Sequence, residues 1–179
     1  MSKLLYSVTM SLDGFIAGPS GDMSWLTPHL GPNSQIDSLQ RNIGALLVGN
    51  RTFCGDDPNC GTEKEGAFSG TWSGPVVVVT HHAPQEPVPG VTFAESLSRG
   101  LAAARAAAGD RDVNALGADI ARQCLEAGEL DEVLTIIAPV LLGDGVRLFE
   151  YPGGRRVQLE RLSLVEVPHA TNLWVRVVR

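Results

Sequence analysis

The chain has 179 residues, 44% hydrophobic and 19% charged, which is ordinary globular material with enough apolar side chains for a real core. Its formal charge of -6, with no long basic run, argues against nucleic acid as the main partner, because phosphate binding calls for a clustered basic surface. Three cysteines (Cys54, Cys60 and Cys124) without a C-x-x-C pair indicate neither a disulfide framework nor a metal site. The N-terminus runs straight into a strand and no apolar run reaches about 18 residues, so a reduced, cytoplasmic protein with no membrane partner is expected. One domain over residues 1–179 fits the length.

In chain order, residues 4–10 form the first buried strand, which turns at Asp13-Gly14. The glycine-punctuated stretch that follows carries Phe15, Ile16 and Trp25, apolar residues on a loop that is expected to cover something. Asn33 or Ser34 caps a helix with Ile36, Leu39 and Ile43 on one side. Residues 45–48 form a second buried strand. Residues 55–74 contain five glycines, one proline and little periodicity, so they read as a flap in which Phe68 and Trp72 give something to bury. Residues 75–80 form a third strand. Leu97, Leu101, Ala104 and Ala108 stripe a helix ending at Gly109. After a strand at 112–115, Ile120, Cys124 and Leu125 stripe another helix, ending at Gly128.

A fourth buried strand covers 134–138, and Gly143-Asp144-Gly145 marks a turn before another short one. Residues 156–167 alternate, slip by one near Arg161 and alternate again, which suggests a bulge. A turn over 169–172 leads to a last strand with Leu173, Val175 and Val177 on one face. The expected fold is three-layer α/β/α, with a mixed, mostly parallel sheet and antiparallel strands at the C-terminus.

Two stretches suit anion binding. In "ALLVGNRTF" a buried strand ends at Gly49, and Arg51 and Thr52 follow at its carboxyl end, where ligands gather in open α/β sheets. The Arg51 fork suits a phosphate; a surface arginine beside a turn explains it equally well. In "VNALGADIARQ" a helix opens directly after Gly117-Ala118, so free N–H groups point at an approachable backbone. Asp119 in that first turn favours the helix dipole but opposes a phosphate if it points inward. The strand ending in Thr80-His81-His82 offers a hydroxyl and an imidazole, or simply wet loop residues. No G-x-G-x-x-G, G-x-x-x-x-G-K-[ST], H-E-x-x-H or G-x-S-x-G motif occurs, which disfavours Rossmann dehydrogenases, P-loop nucleotidases, zincins and α/β-hydrolases.

Taken together, "SLDGFIAG…MSWL", "LLVGNRT", "VVVVTHH" and "LGADIARQCLEAGELDEVLTIIAPVLLGDGVRLF" resemble the dihydrofolate reductase-like family, in the branch similar to the reductase domain of the bacterial riboflavin-biosynthesis deaminase-reductase. The resemblance implies an NADPH-dependent reductase of a small heterocyclic substrate, pyrimidine- or pterin-like, and a homodimer. It places Ile16 and Ala17 beside the nicotinamide, and Gly49, Asn50, Arg51 and Thr52 at the phosphates. Thr80 and His81 fall near the adenosine 2′-phosphate, while Leu116, Gly117, Ala118, Asp119 and Ile120 face the cofactor from the other side. Asp13 is the catalytic candidate, for orienting substrate or relaying a proton; Trp25, Leu142 and Asp144 would line the substrate pocket, with Phe68 and Trp72 closing over it. No metal is implied. Three departures stand out: Leu116 precedes Gly117 where two glycines are common, Asn50 replaces a frequent arginine, and the first carboxylate after Trp25 is Asp37. The last disfavours folate as substrate. A nucleotide-binding protein without catalysis is the alternative.

Overall fold

The computed structural model describes residues 2–55 and 57–179. In chain order the elements are β1 (Leu4–Ser11), β2 (Phe15–Ala17), α1 (Ser34–Asn42), β3 (Ile43–Gly49), α2 (Asn50–Phe53), β4 (Val76–Val79), β5 (Val91–Ala94), α3 (Leu97–Ala108), β6 (Asp112–Leu116), α4 (Ala118–Glu126), β7 (Glu132–Ala138), β8 (Val146–Arg147), β9 (Leu159–Val167) and β10 (Ala170–Val177). Eight strands form one sheet in the order β5-β4-β3-β6-β1-β7-β10-β9, and β2 pairs with β8 in a separate ribbon. The first six are mutually parallel; β10 runs antiparallel to β7 and to β9. This is the α/β fold expected, and Leu162 bulges out of the β9 ladder where the alternation slips.

Crossover handedness distributes the helices. Steps from β1 to β3 to β4 move one way along the sheet, while β5 to β6 and β6 to β7 move the other way. Right-handed crossovers therefore place α1 on one face and α3 with α4 on the opposite face. The buried clusters agree. Leu39 and Ile36 pack on Leu5, Leu46, Val48 and Leu134, whereas Leu101, Ala104, Ile120 and Cys124 pack on Leu4, Tyr6, Leu47 and Val113. Burying a leucine of this kind contributes roughly 1.5–3 kcal/mol. Burial also pushes the Cys124 thiol up to about 12, so it behaves as a core hydrophobe.

Three expectations need correction, and one strand is new. Ile43 is no helix residue: it opens β3, fully buried. The last turn is confined to residues 168–169, because Ala170, Thr171 and Asn172 already pair in β10. β5 went unrecognised. Phe68 and Trp72 do not stand free to close over a pocket; with Ala67 they pack against the buried cluster that includes Leu39, Leu46 and Val78, and Gln40 of α1 donates to the Thr71 hydroxyl at 2.9 Å. These residues of the β3–β4 connection cover the sheet on the same face as α1.

Two polar groups in the sheet have opposite fates. Glu132, 2% exposed, accepts from Lys3 Nζ at 2.8 Å and from Trp174 Nε1 at 2.9 Å. Beside it, Asp131 Oδ2 accepts from the Leu4 N–H at 2.8 Å, and Oδ1 from Arg179 at 2.9 Å. Asn114, fully buried on β6 between Leu5 and Leu46, has no partner for either side-chain polar atom among the described residues. An unpaired buried amide costs about 1–3 kcal/mol. Asn114→Leu, close in volume, is therefore expected to raise stability by about 1–2 kcal/mol, or Tm by roughly 2–8 °C in a chain this long. Thermal unfolding by circular dichroism checks it; a fall in Tm would mean that the amide is satisfied in solution.

Candidate active site

β3 and β6 are neighbours, yet their chains leave the sheet toward opposite faces: β3 toward the side of α1, β6 into α4 on the other. Such divergence opens a crevice at the carboxyl ends of the strands. Along this edge, in spatial order, lie Thr80 after β4, residues 49–52 after β3, residues 116–120 after β6, the loop after β1 and the loop after β7.

The crevice walls touch. Gly117 is the N-cap of α4 with φ +102°, and a Cβ there would overlap Thr52 Oγ1. Among the described residues no side chain caps this helix, so its first N–H groups remain available as donors. Asp119 has turned away from them: Oδ1 accepts from Arg122 Nη2 at 2.6 Å and Oδ2 from Gln123 Nε2 at 2.7 Å. Burial alone would raise its pKa, but those hydrogen bonds and the charges of Arg122 and Arg51 outweigh it and hold the carboxyl low. The charge of Arg51 thus reaches the first turn of α4 from across the crevice. Ala118 is half-buried on the same turn, whereas the Ile120 side chain is committed to the core. Thr80 is 5% exposed and its hydroxyl accepts from the His82 N–H at 3.0 Å; His81 is exposed. A cavity of about 320 Å³ opens beside Thr80, toward Phe93, Glu95 and Arg99. Asn50, exposed, contacts Cys54 Sγ rather than the crevice wall.

At the other end of the edge the loop after β1 is tied down at its root. Asp13 Oδ1 accepts from the Ser11 hydroxyl at 2.5 Å and from Leu142 N–H at 3.1 Å, and Oδ2 from Gly143 N–H at 2.7 Å. The Ser11 hydroxyl, then the amides of Gly143 and Leu142, hold the Asp13 carboxyl down at about 2. Two residues beyond Gly143, Gly145 (φ +134°) presses so close to Ala17 O that a Cβ would overlap it. β2 pairs with β8, and the Arg147 guanidinium lies 4.5 Å over the Phe15 ring. Ile16 is half-buried in this ribbon and Ala17 is buried.

Beyond the ribbon, Trp25 sits half-buried in a 3-10 turn, its ring 6.3 Å from that of His29 and its N–H unpartnered among the described residues. The far end of the loop is fastened by a reciprocal amide pair, Asn33 to Asn172 at 3.1 Å and Asn172 to Asn33 at 2.8 Å. Leu12 and Leu141, 65% and 68% exposed, flank the opening side by side, since Leu12 N–H donates to Val140 O. Among the described residues, Asp144 bonds only the following Gly145 N–H. As site residues, Gly145, Asn33 and Asn172 escaped the sequence reading because each works through a partner distant in the chain, and Ser11 because its near partners Asp13 and Phe15 lie in a turn without periodicity.

A long strip of anion donors thus adjoins an apolar opening under a loop fixed at both ends. The RibD C-terminal domain family model matches residues 2–173. No curated protein matches the chain in sequence. Among solved structures, a protein of Shewanella sp. PV-4 assigned to riboflavin biosynthesis superposes with TM-score 0.76 at 22% identity, covering 99% of both chains. The Thermotoga maritima diaminohydroxyphosphoribosylaminopyrimidine deaminase/5-amino-6-(5-phosphoribosylamino)uracil reductase gives 0.66 at 18% identity; 99% of this chain spans 57% of that one. Dihydrofolate reductase from Enterococcus faecalis, complexed with NADP(H), gives 0.63 at 18% identity, covering 98% of this chain and 95% of the other.

Proposed function

The chain belongs to the RibD C-terminal domain family, and from that premise we propose that it is an NADPH-dependent reductase of a small pyrimidine- or pterin-like heterocycle. The observation that carries the reading is the crevice between β3 and β6, where Arg51 and Thr52 meet the uncapped start of α4 with Asp119 turned aside. NADPH would supply the hydride there. Thr52, Arg51 and the first turn of α4 would hold its phosphates, and Thr80 with His81 would meet the adenosine 2′-phosphate. Gly49 and Leu116, at the ends of adjacent strands, would bound the cofactor from below.

Ile16 and Ala17 would flank the nicotinamide from the root of the lid, residues 12–33. Trp25, Leu142 and Asp144 would line the substrate side. The lid excludes water from the reacting atoms, which strengthens every electrostatic contact inside. A cytoplasmic homodimer completes the proposal.

Thermal unfolding with NADPH, with NADH as control, tests the cofactor. A ligand at about a hundred times its Kd adds roughly 2.7 kcal/mol, here about 5–10 °C. The rise is expected with NADPH and much less with NADH. In Arg51→Ala the loss of charge-assisted hydrogen bonds should weaken NADPH by about 10–100-fold. Consumption of NADPH with 5-amino-6-(5-phosphoribosylamino)uracil, the compound named for the Thermotoga relative, tests the substrate. Binding without any turnover would favour the non-catalytic reading, and no rise with either cofactor would overturn both.

A further inference from the structure

Asp13 is the one carboxylate at the root of the lid whose two oxygens both reach another segment of chain: Leu142 N–H on Oδ1 and Gly143 N–H on Oδ2, 129 and 130 residues away. Ser11, fully buried at the end of β1, fixes it from its own side, donating to Oδ1 while accepting from Phe15 N–H at 2.9 Å. Asp13 thus joins the end of β1 to the loop after β7, and Ser11 adds the start of the β2 ribbon.

We propose that Asp13 is a positioning residue, a clasp that sets the Leu142–Gly143 backbone against the lid root and so shapes the substrate side of the site, rather than the group that hands over the proton. The inference rests on the reductase reading. Reduction of a C=N or C=O bond by hydride needs one proton at the heteroatom. With Asp13 occupied as an acceptor on both oxygens, it is not the donor of that proton. The low carboxyl pKa agrees: at neutral pH the group carries no proton to give. The other charged groups on the facing loop and ribbon do not compete for it, since Asp144 bonds Gly145 N–H and Arg147 lies over Phe15.

Amide hydrogen exchange at residues 142 and 143 decides the matter, compared among the wild type, Asp13→Asn, Asp13→Ala and the milder Ser11→Ala. The Asn side chain can still accept from Leu142 but turns an NH2 toward Gly143. In Asp13→Asn, Gly143 is therefore expected to exchange at least about tenfold faster with Leu142 little changed, and in Asp13→Ala both should accelerate. Turnover of NADPH with 5-amino-6-(5-phosphoribosylamino)uracil should fall in the same order, while NADPH affinity stays within about threefold. Wild-type exchange rates in Asp13→Ala, or lost turnover in Asp13→Asn with Gly143 still protected, would overturn the clasp. If the wild type fails to bind NADPH, the reductase reading falls, and the exchange rates still judge the clasp alone.

Discussion

Gly117→Ala is expected to abolish most of the NADPH-dependent rise in Tm while the sheet stays folded. Two separate penalties meet at this position. The backbone holds φ +102°, where an L side chain is strained by about 1–3 kcal/mol, and the new methyl would overlap Thr52 Oγ1. Relief requires the Thr52 side chain to rotate or α2 or the start of α4 to shift, and these are the two walls that NADPH would bridge on the proposed reading. Unliganded Tm should fall by roughly 2–12 °C. NADPH affinity should drop by at least about tenfold, since a displaced first turn misaligns several donors together. Adding Thr52→Ala removes the hydroxyl that collides but not the backbone strain. The double variant should then recover part of the unliganded Tm and little of the affinity, a non-additivity that isothermal titration and thermal unfolding can measure. Full NADPH affinity in Gly117→Ala would place the cofactor elsewhere.

Gly145→Ala is expected to loosen the lid without touching the core. A Cβ at Gly145 would overlap Ala17 O and lie within 3 Å of Gly18, again at positive φ, here +134°. Easing the overlap parts the β2–β8 ribbon, whose ladder pairs Phe15 with Arg147 and Ala17 with Val146. Neither strand belongs to the eight-stranded sheet, so the loss of stability should stay within about 1–3 kcal/mol of strain. Protease cleavage within residues 18–30 should accelerate by about tenfold or more, because cutting tracks the population of the open form. Turnover should decline in parallel. A lid as resistant to protease as the wild type's would show that the contact yields locally and does not hold the loop.

Much of the architecture was legible because it is written in short-range pattern. The apolar runs of β3 and β4, the stripe and C-terminal glycine of α3 and the slip in β9 each betray themselves within a dozen residues. What stayed hidden was long-range. Strand β7 starts at Glu132, two residues before its apolar run, and only Lys3 and Trp174 make that charge tolerable in the interior. Strand β5 is four residues long after a proline-rich loop, too short to show a period.

At the site, Arg51, Thr52 and Gly117 were readable from strand-end chemistry, and the structure brings them to one crevice. Whether Asp119 faced inward turned on Arg122 and Gln123, an i+3 and i+4 choice that spacing permits but does not decide. The partners of Asp13 and Asn33 lie about 130 and 139 residues away, beyond any local signal.

Asp131 receives both ends of the described chain, the Leu4 amide on one oxygen and the Arg179 guanidinium on the other. That meeting lies at the edge of the sheet opposite the crevice, where β1 begins and β10 ends. Head and tail are therefore neighbours, and a short peptide joining them would leave the strand order intact. The cut that restores two free ends can then be moved to an exposed loop, giving circular permutants. A reporter domain joined beside Leu4 or Arg179 would likewise hang beneath the sheet, a full strand length from the lid.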